Sequence, residues 1–335
     1  MKKIGVLILS LLIALMLALP NNVMGNSPNG APEVERLSGV NRYETSAKIA
    51  QTGWSTSQYV ILATGENYPD ALCAAPLATH LNAPVLLTAK DSLSSETENE
   101  IDRLGVKTAY IIGGFGVVSM NVNKQLEAKN INVRRLYGEN RFQTSSYVAN
   151  QMKDQMTPLS KIFLVTGYDF SDAVFASSYA AKKGIPIVLV PKDYEDNYLR
   201  LTGYLDIDRH TQTYVLGGLN EISWDVFSHY PNFSAIGGSD KYERNLSFTS
   251  IFSDELDFTT TYIATGDDFP DALTGAALAA QDSSPVLLIG KELAPFTETI
   301  LRKHAGSIKK LRVLGGEGAV SNDVIQKIKD IVRNN

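Results

Sequence analysis

Four short motifs recur in one order three times along this chain. Their period is roughly 100 residues, whereas solenoid units run about 20 to 50 and cannot stand alone. The first motif, Arg36-Leu37-Ser38-Gly39-Val40-Asn41-Arg42-Tyr43, returns as Arg135-Leu136-Tyr137-Gly138-Glu139-Asn140-Arg141-Phe142. A weaker third copy reads Ala235-Ile236-Gly237-Gly238-Ser239-Asp240-Lys241-Tyr242. The second motif, Thr64-Gly65-Glu66-Asn67-Tyr68-Pro69-Asp70-Ala71-Leu72, recurs at 166–174 and 265–273. The third is Pro84-Val85-Leu86-Leu87, then Pro186-Ile187-Val188-Leu189, then Pro285-Val286-Leu287-Leu288. The fourth is a glycine pair, Gly113-Gly114, Gly217-Gly218 and Gly315-Gly316, followed by Ser119, Ser223 or Ser321. Such a chain is three copies of one domain-sized fold.

The expected boundaries are repeats at 34–132, 133–231 and 232–335, with 26–33 as a flexible lead-in. No Gly/Ser-rich or Pro-rich linker parts the copies, so they should pack directly on one another. Residues 1–25 read as a secretory signal: Lys2 and Lys3, an apolar run from Ile4 to Leu19, a break at Pro20 and small residues near Gly25. The run is shorter than the roughly 20 residues a membrane span needs. A secreted chain with no membrane span after cleavage is expected.

Within the first copy, short β-branched strands alternate with helices. Strands are predicted at 59–63, 85–88 and 109–112, and helices at 42–52, 69–81, 94–104 and 119–129. That alternation implies an α/β class, a mostly parallel sheet and a small open sandwich per copy. The loops at the carboxyl ends of its strands carry three of the four motifs, where such folds bind ligands.

Charge narrows the function. The chain carries −5 overall, and −7 once Lys2 and Lys3 are removed. A broad nucleic-acid surface needs a basic field, so none is expected. The single cysteine, Cys73, permits no internal disulfide. No metal-ligand spacing, nucleophile elbow or complete phosphate loop occurs, so neither enzyme activity, metal nor cofactor is expected.

The motif residues first have structural uses. Asn41 with Glu44, Asn140 with Gln143, and Asp240 with Glu243 have capping-box spacing. Gly65, Gly167 and Gly266 allow a tight turn, and Asp70, Asp172 and Asp271 suit a first helical turn. Arg42, Arg141 and Lys241 do not: a base there opposes the helix dipole and needs a partner. That partner is either a carboxylate on the next copy or an anionic polymer. The adjoining Tyr43, Phe142 and Tyr242 serve either packing or sugar stacking.

In order and spacing, these motifs resemble the cell wall binding repeat 2 family of clostridial and bacillar surface proteins, over residues 34 to 332. The resemblance implies Toprim-like modules set around a pseudo-threefold axis. It also implies noncovalent anchoring to an anionic secondary wall polymer on the Gram-positive surface. Arg36, Arg42, Tyr43, Arg135, Arg141, Phe142, Lys241 and Tyr242 are then the candidate polymer contacts. The family's apolar tripeptide maps onto Val85-Leu86-Leu87, Ile187-Val188-Leu189 and Val286-Leu287-Leu288, expected to be buried support. Ala235 stands where the other copies have arginine. Other surface-layer proteins are candidate partners, and the alternative role is modulation of a wall amidase through protein contacts.

Overall fold

The computed structural model describes residues 30–67, 69–153, 158–194, 202–218 and 221–334. The signal peptide and the lead-in up to residue 29 lie outside them. The first repeat runs β1 (Glu33–Leu37), α1 (Arg42–Gly53), β2 (Tyr59–Thr64), α2 (Ala74–His80), β3 (Val85–Thr88), α3 (Ser95–Leu104), β4 (Thr108–Ile112) and α4 (Met120–Ala128). The second gives β5 (Asn132–Leu136), α5 (Arg141–Met152), β6 (Lys161–Thr166), α6 (Ser171–Lys183), β7 (Ile187–Val190), β8 (Gln212–Leu216) and α7 (Trp224–Phe227). The third gives β9 (Phe233–Ile236), α8 (Lys241–Ile251), β10 (Thr260–Thr265), α9 (Pro270–Gln281), β11 (Val286–Ile289), α10 (Pro295–His304), β12 (Lys310–Leu314) and α11 (Asn322–Arg333).

These strands form three all-parallel, four-stranded sheets. Their orders are β3-β2-β4-β5, β7-β6-β8-β9 and β11-β10-β12-β1. Each sheet therefore takes three strands from one repeat and its last strand from the opening motif of another. For the third sheet that strand is β1, whose Glu33–Leu37 pair in register with Lys310–Leu314. The amino-terminal strand closes the ring of repeats.

The helices α2, α6 and α9 pack on one another in all three combinations, around a common axis. The first helix of each repeat lies against the central helix of the preceding one: α1 on α9, α5 on α2, α8 on α6. One large core cluster draws on all three repeats, as the absence of linkers led one to expect. At the second junction it is aromatic, with Phe248 of α8 and Phe252 just after it against Phe163, Phe175 and Tyr179.

One predicted helix begins late. The segment from Pro69 forms a 3-10 turn at Ala71–Cys73 before α2 starts at Ala74. Pro76 has no N–H to donate backwards, so the helix restarts where Pro76 falls in its first turn. Cys73 is buried there, and burial pushes its thiol up, away from the reactive thiolate.

Candidate functional site

The sheet order places a switch point between the second-motif strand and the glycine-pair strand of each repeat. Ligand crevices of α/β folds lie at such points, outside the carboxyl ends of the strands. The motifs gather there. The first helices begin at this edge, capped by Asn41, Asn140 and Asp240, which accept from backbone N–H groups inside the helix. Glu44, Gln143 and Glu243 reach back to the N–H of Val40, Glu139 and Ser239, one residue earlier than a capping box requires.

The three bases share one geometry. Arg42 donates to the Gly65 carbonyl, Arg141 to Gly167 at 2.6 Å and Lys241 to Gly266. Each base thus ties its helix to the turn glycine of its own repeat. Carboxylates stand further out: Asp268 lies 3.8 Å from Arg42, and Asp267 lies 3.0 Å from Lys241. Tyr43 and Phe142 pack against the same glycines, and Tyr242 lies against Gly290. Phe142 is buried, and burial raises the phenols of Tyr43 and Tyr242. These rings are held mainly as packing.

Arg36 and Arg135 serve the sheet edge next door. Arg135 donates to the carbonyls of Gly113 and Val118 and to Asn123, and lies 4.3 Å from the Phe115 ring centre. Arg36 reaches Gly315 and Asn322 at 2.9 and 3.0 Å, closing the ring from the opposite end of the chain. Burial lowers both guanidinium groups below their ordinary range. Ala235 has no such reach.

The motif aspartates sit at the junctions, a placement that local sequence did not disclose. Asp70 meets Thr144 of the second repeat, Asp172 meets Arg244 of the third, and Asp271 meets Thr45 of the first. Gly315 has a φ of +97°, and a β-carbon there would collide with Asp271 Oδ2. The apolar tripeptides form the buried strands β3, β7 and β11. Ser46 and Ser145 hydroxyls accept from Leu87 and Leu189 N–H, and Asn245 accepts from Leu288 N–H, so first helices are bonded to these strands. Among the described residues no group of three His, Cys, Asp or Glu is placed to hold a metal ion. No described helix is long and apolar enough to cross a membrane.

The family model described as Cell wall binding domain 2 (CWB2) matches residues 36–123, 135–227 and 235–325. The chain belongs to this family. It is 33% identical over 323 residues to the N-acetylmuramoyl-L-alanine amidase LytC of Bacillus subtilis (strain 168), covering 96% of this chain and 62% of LytC. The Amidase enhancer of the same organism is 30% identical over 299 residues, 88% of this chain and 40% of the enhancer. The chain thus spans less than two thirds of either curated relative. Among solved structures, Cwp6 and Cwp8 from Clostridium difficile both superpose with a TM-score of 0.79, at 28% and 29% identity. Each match covers 90% of this chain, and 48% and 52% of those chains. Cell wall binding and a cell wall or surface location follow from this membership.

Proposed function

We propose that the chain is secreted and anchors itself noncovalently to an anionic secondary polymer of the wall, without catalysis of its own. The three repeats, 34–132, 133–231 and 232–335, each supply one contact. The observation that supports this reading is the thrice-repeated base. Arg42 and Lys241 spend a donor on a backbone carbonyl, which fixes their direction, yet keep 36% and 25% of their side chains exposed. Oriented cations beside a helix amino terminus suit an oxyanion. Linked weak contacts along a repeating polymer multiply, so attachment does not require one tight site.

The test is release from walls by salt. Exposed charge contacts are screened within about 8 Å at physiological ionic strength, so retention should fall as salt rises. Replacing Arg42, Arg141 and Lys241 together by Gln should abolish retention in a folded chain. Retention unchanged by high salt and by the triple variant would rule the reading out.

A second reading rests on the relatives. Two carry amidase in their names, so a chain of this kind could instead modulate a wall amidase by protein contact. It requires saturable binding to an amidase and none to isolated polymer. Other surface-layer proteins are partners of the same kind.

A further inference from the structure

Each repeat carries a second recurring cation that the four motifs leave out. Lys90, Lys192 and Lys291 stand two residues beyond the ends of β3, β7 and β11, after Ala89, Pro191 and Gly290. The residue in between varies and the lysine does not. All three lysines are exposed.

Main-chain bonds fix where these side chains start. The N–H groups of Gly65, Gly167 and Gly266 donate to the carbonyls of Thr88, Val190 and Ile289 at 2.9, 3.0 and 2.7 Å. The carbonyls of the same glycines accept from Arg42, Arg141 and Lys241. Each turn glycine is therefore held by the base on one side and by the strand leading to the lysine on the other. Ser119 and Ser223 N–H then donate to the carbonyls of Lys90 and Lys192 at 2.8 and 2.7 Å. None of these bonds calls for a lysine side chain. Among the described residues none of the three ammonium groups makes an ion pair or hydrogen bond, whereas Lys241 holds Gly266 and Asp267.

In the third repeat Lys291 lines a crevice of about 390 Å³ with Thr265, Asp267, Asp268, Glu317 and Ser321. This is the switch-point crevice, between the glycine turn and the glycine-pair loop. An acid follows each lysine, Asp91, Asp193 or Glu292. Glu292 lines a separate groove beside Glu298 and Lys327, so lysine and acid serve different surfaces there.

We propose that Lys90, Lys192 and Lys291 are a second set of binding residues for the wall polymer, each offering an ammonium to a phosphate or carboxylate oxyanion. The proposal rests on the polymer reading above. A compact charge on a flexible four-carbon stem suits an oxyanion whose position along a polymer varies. The repeats are unequal, however. At the positions of Asp267, Asp268 and Glu317 the first repeat has Glu66, Asn67 and Phe115, and the second has Tyr168, Asp169 and Leu219. Lys291 shares its crevice with three acids, where the corresponding positions of the other repeats supply one each. Like charges near an anion oppose it, so Lys90 and Lys192 carry most of the binding.

The probes are a glycerol phosphate oligomer and an oligogalacturonate, each titrated into the purified chain by calorimetry at low salt. Saturable binding of at least one is expected, and which one binds tells phosphate from carboxylate. Lys90→Gln with Lys192→Gln should weaken that binding about fivefold or more, and Lys291→Gln about twofold or less. Lys90→Arg with Lys192→Arg keeps the charge and should keep the binding. Melting temperatures should not move, since no bond of the fold uses these ammonium groups. Binding of neither probe, equal binding by the folded double glutamine variant, or a larger loss from Lys291→Gln than from that variant would overturn the proposal. Cell walls separate the two readings. Walls that hold the double glutamine variant fully but release the triple base variant sink this inference and leave the polymer reading standing. Walls that hold every variant in high salt sink both.

Discussion

Arg244 Nε lies 2.7 Å from Asp172 Oδ1 in a contact that joins the second repeat to the third, with side chains 6% and 0% exposed. At the other two junctions the aspartate meets a threonine hydroxyl instead, Thr144 or Thr45. Burial raises the Asp172 carboxyl to about 6, with Arg244 opposing the rise. Arg244 also faces Glu221 at 3.8 Å, which shares its charge.

Removing one partner of such a pair leaves an uncompensated charge indoors. Arg244→Met should cost about 3–5 kcal/mol. The double variant Asp172→Asn with Arg244→Thr copies the polar contact of the other junctions and should recover most of that loss. Urea denaturation of the three chains measures both.

Asp271 supplies part of the pH dependence, beside Asp70 and Asp172, whose carboxyls burial also raises. Burial, then the charge of Asp268, pushes its carboxyl up to about 6, while Arg42 and Thr45 pull the other way. A folded-state value above the ordinary one favours the protonated form in the fold. Stability is therefore fullest below the ordinary aspartate range and declines as pH rises through about 6. Asp271→Asn should flatten that decline and gain on the order of 2 kcal/mol at neutral pH. Melts at acid and neutral pH, compared with the parent chain, check the sign.

Ring closure predicts a long-range effect of the amino terminus. Without Glu33–Leu37, β12 becomes an open edge and loses its pairing along Lys310–Leu314. Truncation before Ser38 should speed amide exchange in β12 while leaving the first sheet protected. Hydrogen exchange with mass spectrometry reads this directly. Equal protection in β12 would contradict the closure.

Ala235 marks a missing contact. It pairs with Val215 as Arg36 pairs with Val313 and Arg135 with Ile111. Ala235→Arg should therefore reach the Gly217 carbonyl and add about 1 kcal/mol. Denaturant midpoints with unchanged slope would show the gain.

Much of this fold was legible. The strands at 59–63, 85–88 and 109–112 and the helix caps stand where alternation and capping residues put them, because those signals are local. The handing of β1, β5 and β9 to other sheets was not legible. The repeat boundary follows sequence likeness, whereas the sheets follow pairing between residues as far apart as Arg36 and Val313. Asp70, Asp172 and Asp271 look like first-turn acids in sequence, and only the ring shows their partners. The partner position holds Thr45 and Thr144 but Arg244 in the third repeat, and it stood outside every motif read from the sequence as functional. The bases were legible as needing a partner, but a backbone carbonyl leaves no sequence trace.

The central claim is that the repeats hold the wall through its anionic polymer. Sedimentation of the purified chain from Asn26 onward with cell walls, before and after chemical stripping of that polymer, tests it most directly. The account predicts that the chain pellets with intact walls and stays in solution with stripped ones. Full pelleting with stripped walls, or none with intact walls, would contradict it.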